Sequence, residues 1–307
     1  LQYEQYSTSL RKEKNKARFR RQSDIYNDLN DFNIHTRQEC NFIFEDKSFK
    51  TTKNLEERET KKQLIYENMT SNGLLNYNGS LGLVSPKMKA LLTNIFDADK
   101  NDLTKGKILI YSNFESDHGI KTMKLILNNL GFEQYIYKDE KSIEDIPKGT
   151  PRYTFYTGSG DVVKVRNKNI EMFNDPSNST GDHIKILFIT EAGAEGINLK
   201  CVRQVHILEP YWNFVRIDQV LGRAIRKESH MDLPENMRNV DKFIYLSCYP
   251  EGNTLEELFN NIKENYSEQW SEMNPIVSYK DLTQDKYKNI YKALDTILRS
   301  NLSENDK

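Results

Sequence analysis

Ile184-Lys185-Ile186-Leu187-Phe188-Ile189-Thr190-Glu191-Ala192-Gly193-Ala194-Glu195-Gly196-Ile197-Asn198-Leu199 decides how this chain of 307 residues folds. Its first six positions are apolar except Lys185. That pattern fits a strand covered on both faces, as in a parallel sheet, and not the one-sided alternation of a half-exposed strand. The small residues Ala192, Gly193, Ala194 and Gly196 follow at once and let a backbone come close to a ligand. They stand at the C-terminal end of the strand, where open α/β sheets bind their ligands.

Working outward, further short apolar runs at 108–111, 153–156, 202–208 and 243–248 read as strands. Between them lie helical periodicities. Ser85-Pro86 starts one helix with Met88, Leu91, Leu92 and Ile95 on its apolar face. A second has Asp117 as its cap, Ile120, Met123, Leu127 and Leu130 as its face, and Gly131 as its end. Residues 162–173 form a third, and 214–226 a fourth with Ile217, Val220, Leu221 and Ile225 inward. Strands alternating with helices predict an α/β fold, a parallel sheet with helices on both faces. Residues 1–84 read as a helical linker segment, 85–250 as the sheet lobe and 251–307 as a helical extension. Within the first segment, 46–63 is charged with little to bury and is expected to be a loop or a poorly ordered segment, and 67–82 is turn-rich.

Lys+Arg is 44 against Asp+Glu 45, a net charge of −1, which excludes a globally basic nucleic-acid binder. Charge is segregated instead: 11–21 holds seven basic side chains against Glu13 alone. A solvated helix is the default for such a run, with nucleic-acid contact as the alternative. No apolar run is long enough for a membrane span, and the charged N-terminal stretch is expected not to be a secretory signal. The chain starts at Leu1 and is expected to be a piece of a longer protein. Cys40, Cys201 and Cys248 form no CxxC pair, which fits a reducing compartment and offers no zinc site; no metal site is expected. No G-x-x-x-x-G-K-[ST] occurs, since Gly106-Lys107 lacks both the upstream Gly and the hydroxyl. An Asp-Glu box after a buried strand, a G-x-S-x-G and an HExxH are also missing.

Gln219-Val220-Leu221-Gly222-Arg223-Ala224-Ile225-Arg226 carries the second candidate function. On a helix Arg223 and Arg226 share a face, with Gln219 one turn above Arg223. Two guanidiniums beside Gly222 suit an anion such as phosphate. Alone, such a pair is usually a solvated helix face; the glycine-rich strand end upstream favours the binding reading. His206, inside a strand, reads as a satisfied core histidine, and Tyr211 and Trp212 as packing residues.

Together these two stretches resemble motifs V and VI of superfamily 2 helicases. Lys107 to Phe114 resembles motif IV, and Thr157-Gly158-Ser159 the small turn that touches the nucleic-acid backbone in that superfamily. Arg37-Gln38-Glu39-Cys40-Asn41-Phe42, Ser85-Pro86-Lys87, Val202 to Asn213 and Ser229-His230 are similar to the transcription-associated helicases of large nucleocytoplasmic DNA viruses. Poxvirus nucleoside triphosphatase I and the small subunit of the poxvirus early transcription factor are of this kind. The resemblance implies a second RecA-like lobe, paired with a first lobe that carries the P-loop and the Asp-Glu box. It implies ATP bound jointly with that N-terminal lobe and Mg²⁺ held there. Arg223, Arg226 and Gln219 would be catalytic, and Glu195, Gly196, Gly193 and Gly222 would line the nucleotide. Thr190, Gly158, Ser159, Ser112 and Asn113 would hold nucleic acid, with double-stranded DNA favoured over RNA. RNA polymerase is the implied partner, and virion and host cytoplasm the implied setting. Two alternatives stay open: a catalytically silent binding module on a helicase scaffold, and a chromatin-type remodelling ATPase.

Overall fold

The computed structural model describes residues 34–247 except 45, 98–101, 105, 139–142, 159–161, 192–195 and 211–213, together with 5, 6, 8–10, 12 and 13. The predicted extension 251–307, most of the basic run 11–21, and Ser159, Gly193, Glu195, Tyr211, Trp212 and Cys248 lie outside the described residues.

Among the described residues from 34 onward, the α-helices are α1 (Ile34–Glu39), α2 (Leu55–Ser71), α3 (Leu81–Val84), α4 (Pro86–Ile95), α5 (Ile120–Asn129), α6 (Val163–Asn174) and α7 (Phe214–Ala224). Strands β1 (Phe96–Asp97) and β2 (Asp102–Leu103) make a small antiparallel hairpin. The main sheet holds β3 (Lys107–Tyr111), β4 (Glu133–Gln134), β5 (Arg152–Tyr156), β6 (Ile186–Ile189), β7 (Val202–Ile207) and β8 (Asp241–Ile244) in the order β4-β5-β6-β3-β7-β8. Every pairing in it is parallel, as the doubly buried strands predict.

Side chains of the central strands divide between two apolar clusters. Ile108, Ile110, Ile186 and Phe188 join one face with Ile65 and Met69 of α2, Leu91 and Ile95 of α4, and Met123 and Leu127 of α5. Leu109, Tyr111, Leu187 and Ile189 face the other with Phe173 of α6 and Ile217, Val220 and Ala224 of α7. Register brings the strand ends level: Tyr111 pairs with Ile189 and with Ile207, and Tyr156 with Ile189. The loops after β3, β5, β6 and β7 therefore leave one rim side by side.

Several local expectations are corrected. The segment 46–63 is not a loop through its length, because α2 starts at Leu55. Asn54 caps it, accepting from the backbone N–H of Glu56 (2.9 Å) and Glu57 (3.4 Å). Its buried stripe is Lys62, Ile65, Tyr66 and Met69. Lys62 hides the periodicity: its stem is covered while Nζ donates to Glu59 (2.6 Å) and Asp117 (2.7 Å). Asp117 consequently caps nothing; Gly119 is the N-cap of α5. α7 ends at Ala224, two residues early, and Ile225 is exposed. Residues read as linker also enter the core, since Phe42, Ile43 and Phe44 are fully buried in the same cluster as α4 and α5. Among the described residues no helix is long and apolar enough to cross a membrane.

Candidate functional site

Described residues on either side of 192–195 are tied to α7, Glu191 near its start and Leu199 near its end. Thr190, buried, follows directly on β6. Glu191 forms an ion pair with Arg216 in the first turn of α7. Gly196 has φ +81, a left-handed conformation that favours glycine. A Cβ there would meet nothing within 4 Å, so the requirement comes from the backbone and not from packing. Ile197 and Leu199 are buried with Ile217, Val220 and Ala224. At the far end the Leu199 N–H donates to the Arg223 carbonyl (3.1 Å).

The two arginines have different surroundings. Arg223 sits in the last turn of α7, and its Nε is buried without a hydrogen-bond partner among the described residues. Buried guanidinium N–H groups are rarely left so. Arg226 lies beyond the helix end. Its Nε donates to the Gly222 carbonyl (2.8 Å) and its guanidinium to Asn198 Oδ1. Its own N–H donates to Ser229 Oγ (3.3 Å). Gln219 is exposed one turn before Arg223. Gly222 faces open space, where an added Cβ would touch nothing within 4 Å. The arrangement presents one fixed guanidinium, one short of a partner, an amide and a clear approach over a glycine, which is chemistry suited to a polyanion. Among the described residues no group of three His, Cys, Asp or Glu could hold a metal ion.

At the strand rim the predicted backbone-binding residues are only partly presented. Ser112 is turned inward: it is 1% exposed and its hydroxyl donates to Glu209 Oε1 (2.9 Å). The Asn113 N–H donates to Glu209 Oε2 (2.6 Å) and its Nδ2 to the Glu209 carbonyl (3.4 Å). Thr157 Oγ1 donates to Glu115 Oε1 (2.7 Å), fastening the β5 loop to the β3 loop, with Gly158 exposed next to it.

Glu209 is a residue to which the sequence reading gave no role. Burial raises its carboxyl above the ordinary value, against the Asn113 N–H, Lys87, Ser112 and Asn41. Asn41 Nδ2 donates to Glu209 and to the His118 carbonyl (3.0 Å). Lys87 Nζ donates to Asn41 Oδ1 and to the Leu208 carbonyl, both at 3.3 Å. Three separate stretches that carry the viral resemblance thus meet in one buried network. The available signal was local: Asn41 precedes the apolar Phe42-Ile43-Phe44, and Glu209 follows Ile207-Leu208. His206 is a core histidine, bonded to Tyr245 Oη (2.7 Å) and Gln204 Oε1 (3.3 Å).

Residues 86–228 match the protein family described as the helicase conserved C-terminal domain. Over 185 residues the chain is 36% identical to a protein of Acanthamoeba polyphaga mimivirus named as an ATP-dependent RNA helicase, covering 60% of this chain and 21% of that one. Over 212 residues it is 34% identical to a homologue of termination factor NPH-I from African swine fever virus, covering 60% of this chain and 28% of that one. The chain spans about a quarter of the length of these curated relatives. A solved structure, the C-terminal part of the Fun30 ATPase domain, aligns at a TM-score of 0.47 and 16% identity, covering 88% of this chain and 94% of that chain.

Proposed function

We propose that this chain, with residues 86–228 matching the helicase conserved C-terminal domain, works as the second lobe of an ATP-dependent superfamily 2 translocase on nucleic acid. A first lobe supplies the P-loop, the Asp-Glu box and the Mg²⁺ site, motifs that these 307 residues do not contain. Arg223 and Arg226 stabilise the charge that develops on the γ-phosphate. Gln219 lies by the attacking water, and Gly193, Glu195, Gly196 and Gly222 line the nucleotide. Thr190, Gly158, Ser159 and Asn113 hold the backbone, while Ser112 supports that loop from inside. Backbone contacts carry no sequence information, so the lobe follows its track without base preference. Double-stranded DNA is the track, a viral RNA polymerase the partner, and virion and host cytoplasm the setting.

The observation that carries this reading is the buried Arg223 Nε without a partner among the described residues, next to an Arg226 already fixed by Gly222 and Asn198. An unpaired buried donor costs about 1–3 kcal/mol, which an arriving phosphate oxygen would offset. The test is ATP hydrolysis by the purified chain alone and by the natural polypeptide that joins it to a P-loop lobe. The chain alone is expected to match a buffer blank, and the joined protein to be stimulated by duplex DNA more than by RNA. Robust turnover by the 307 residues alone would overturn the half-site account.

A further inference from the structure

A line of polar groups crosses from the α7 side of the site to the rim loop after β3, and Tyr111 stands at its middle. Its ring is 1% exposed, within the cluster that packs α6 and α7 on the sheet. Its hydroxyl donates to Asn113 Oδ1 (2.8 Å), and the positive charge of Arg216 on α7 acts on it. Arg216 also pairs with Glu191, the neighbour of Thr190. Asn113 is held in turn by Glu209 through its N–H (2.6 Å). Packing alone does not call for a phenol here, because a phenylalanine would fill the same apolar volume. The hydroxyl is therefore spent on joining two elements.

Arg216 and Arg223 lie seven residues apart on α7, about 10 Å along one rigid helix. A displacement at one end of that helix is felt at the other. We propose that Tyr111 is a positioning residue that couples α7 to the loop at Asn113, so that nucleic acid on the rim and nucleotide at Arg223 and Arg226 bias the same hydrogen-bonded arrangement. The proposal rests on the lobe function given above. It assigns no chemistry to Tyr111, which touches neither ligand.

The experiment uses the natural polypeptide that contains this chain and its P-loop lobe. Turnover is measured without DNA and with saturating duplex DNA for wild type, Tyr111→Phe, Arg216→Gln and the double variant, with melting temperatures alongside. In Tyr111→Phe the DNA-free rate is expected to stay at the wild-type level while the stimulation ratio falls by about 2- to 30-fold. Arg216→Gln should lower the same ratio, and the double variant should be no worse than the more affected single one, since both break one line. An unchanged ratio overturns the proposal. So does an equal fall of both rates with a lowered melting temperature, the mark of a merely structural hydroxyl. A wild type that DNA does not stimulate removes the lobe reading itself, and the coupling with it.

Discussion

Arg223 and Arg226 differ in what each gives to the protein itself. Arg226 holds Gly222 and Asn198, while Arg223 leaves its Nε without a partner among the described residues. In the complete two-lobe protein, Arg223→Ala is expected to lower kcat by about 10³–10⁵ with the melting temperature unmoved. Arg226→Ala should lower kcat similarly and also destabilise the fold, by about 1 kcal/mol for the lost hydrogen bonds. Single-turnover hydrolysis beside thermal melting checks both; a normal kcat in either variant takes that arginine out of catalysis. Helical spacing together with the motif VI resemblance singled out Gln219, Arg223 and Arg226, although Arg226 lies beyond the end of α7. The network around Glu209 was not legible in that way. Its partner Asn41 is 168 positions distant, and one sequence carries no mark of which remote polar groups meet.

Elements were legible in proportion to how uniformly they are buried. β3 and β6 are covered on both faces, so nearly every residue is apolar and the strands announce themselves. β4 has two residues and α2 has a lysine in its buried stripe, so neither shows a clean period. One glycine fixes the junction between β3 and α5. At Gly119 a Cβ would stand 1.9 Å from the Phe114 carbonyl oxygen, a backbone atom with no rotamer to escape to. Gly119→Ala must shift the 114–119 loop, and with it the grip of Glu115 on Thr157. The expected cost is about 1–3 kcal/mol, read as a lower urea midpoint at constant slope. Gly222→Ala, with open space around it, is the control and should leave the midpoint no lower.

Across the whole molecule, two buried histidines make stability depend on pH. Burial lowers His118 to about 4, against its bond to the Phe42 carbonyl, and lowers His206 to about 3. Both stay neutral in the folded chain while the unfolded chain protonates them near 6.5. Their contribution is therefore complete above pH 6.5 and is lost as pH falls toward 4 and 3. By pH 5 the loss is about 2 kcal/mol for each. Glu209 acts in the opposite sense, since its raised carboxyl takes up a proton more readily when folded. Urea titrations at pH 7 and 5 isolate one histidine: His206→Gln should remove about 2 kcal/mol of the difference between them. An unchanged difference rejects the burial account of His206. At this scale the sequence reading drew the lobe from 85, whereas the core takes in Phe42, Ile43 and Phe44, whose partners only the fold reveals.

The bond between Asn41 and Glu209 also orders events during biosynthesis. A ribosome delivers Asn41 and Lys87 well before Glu209, and until then the Asn41 amide lacks its carboxylate partner. Closing so long a loop costs entropy before any contact repays it. Contacts of such sequence separation slow folding. The network is thus a late checkpoint in synthesis: it closes only after β7 has left the exit tunnel, and a nascent chain halted before Glu209 lacks the carboxylate that unites its amino-terminal third with the rim.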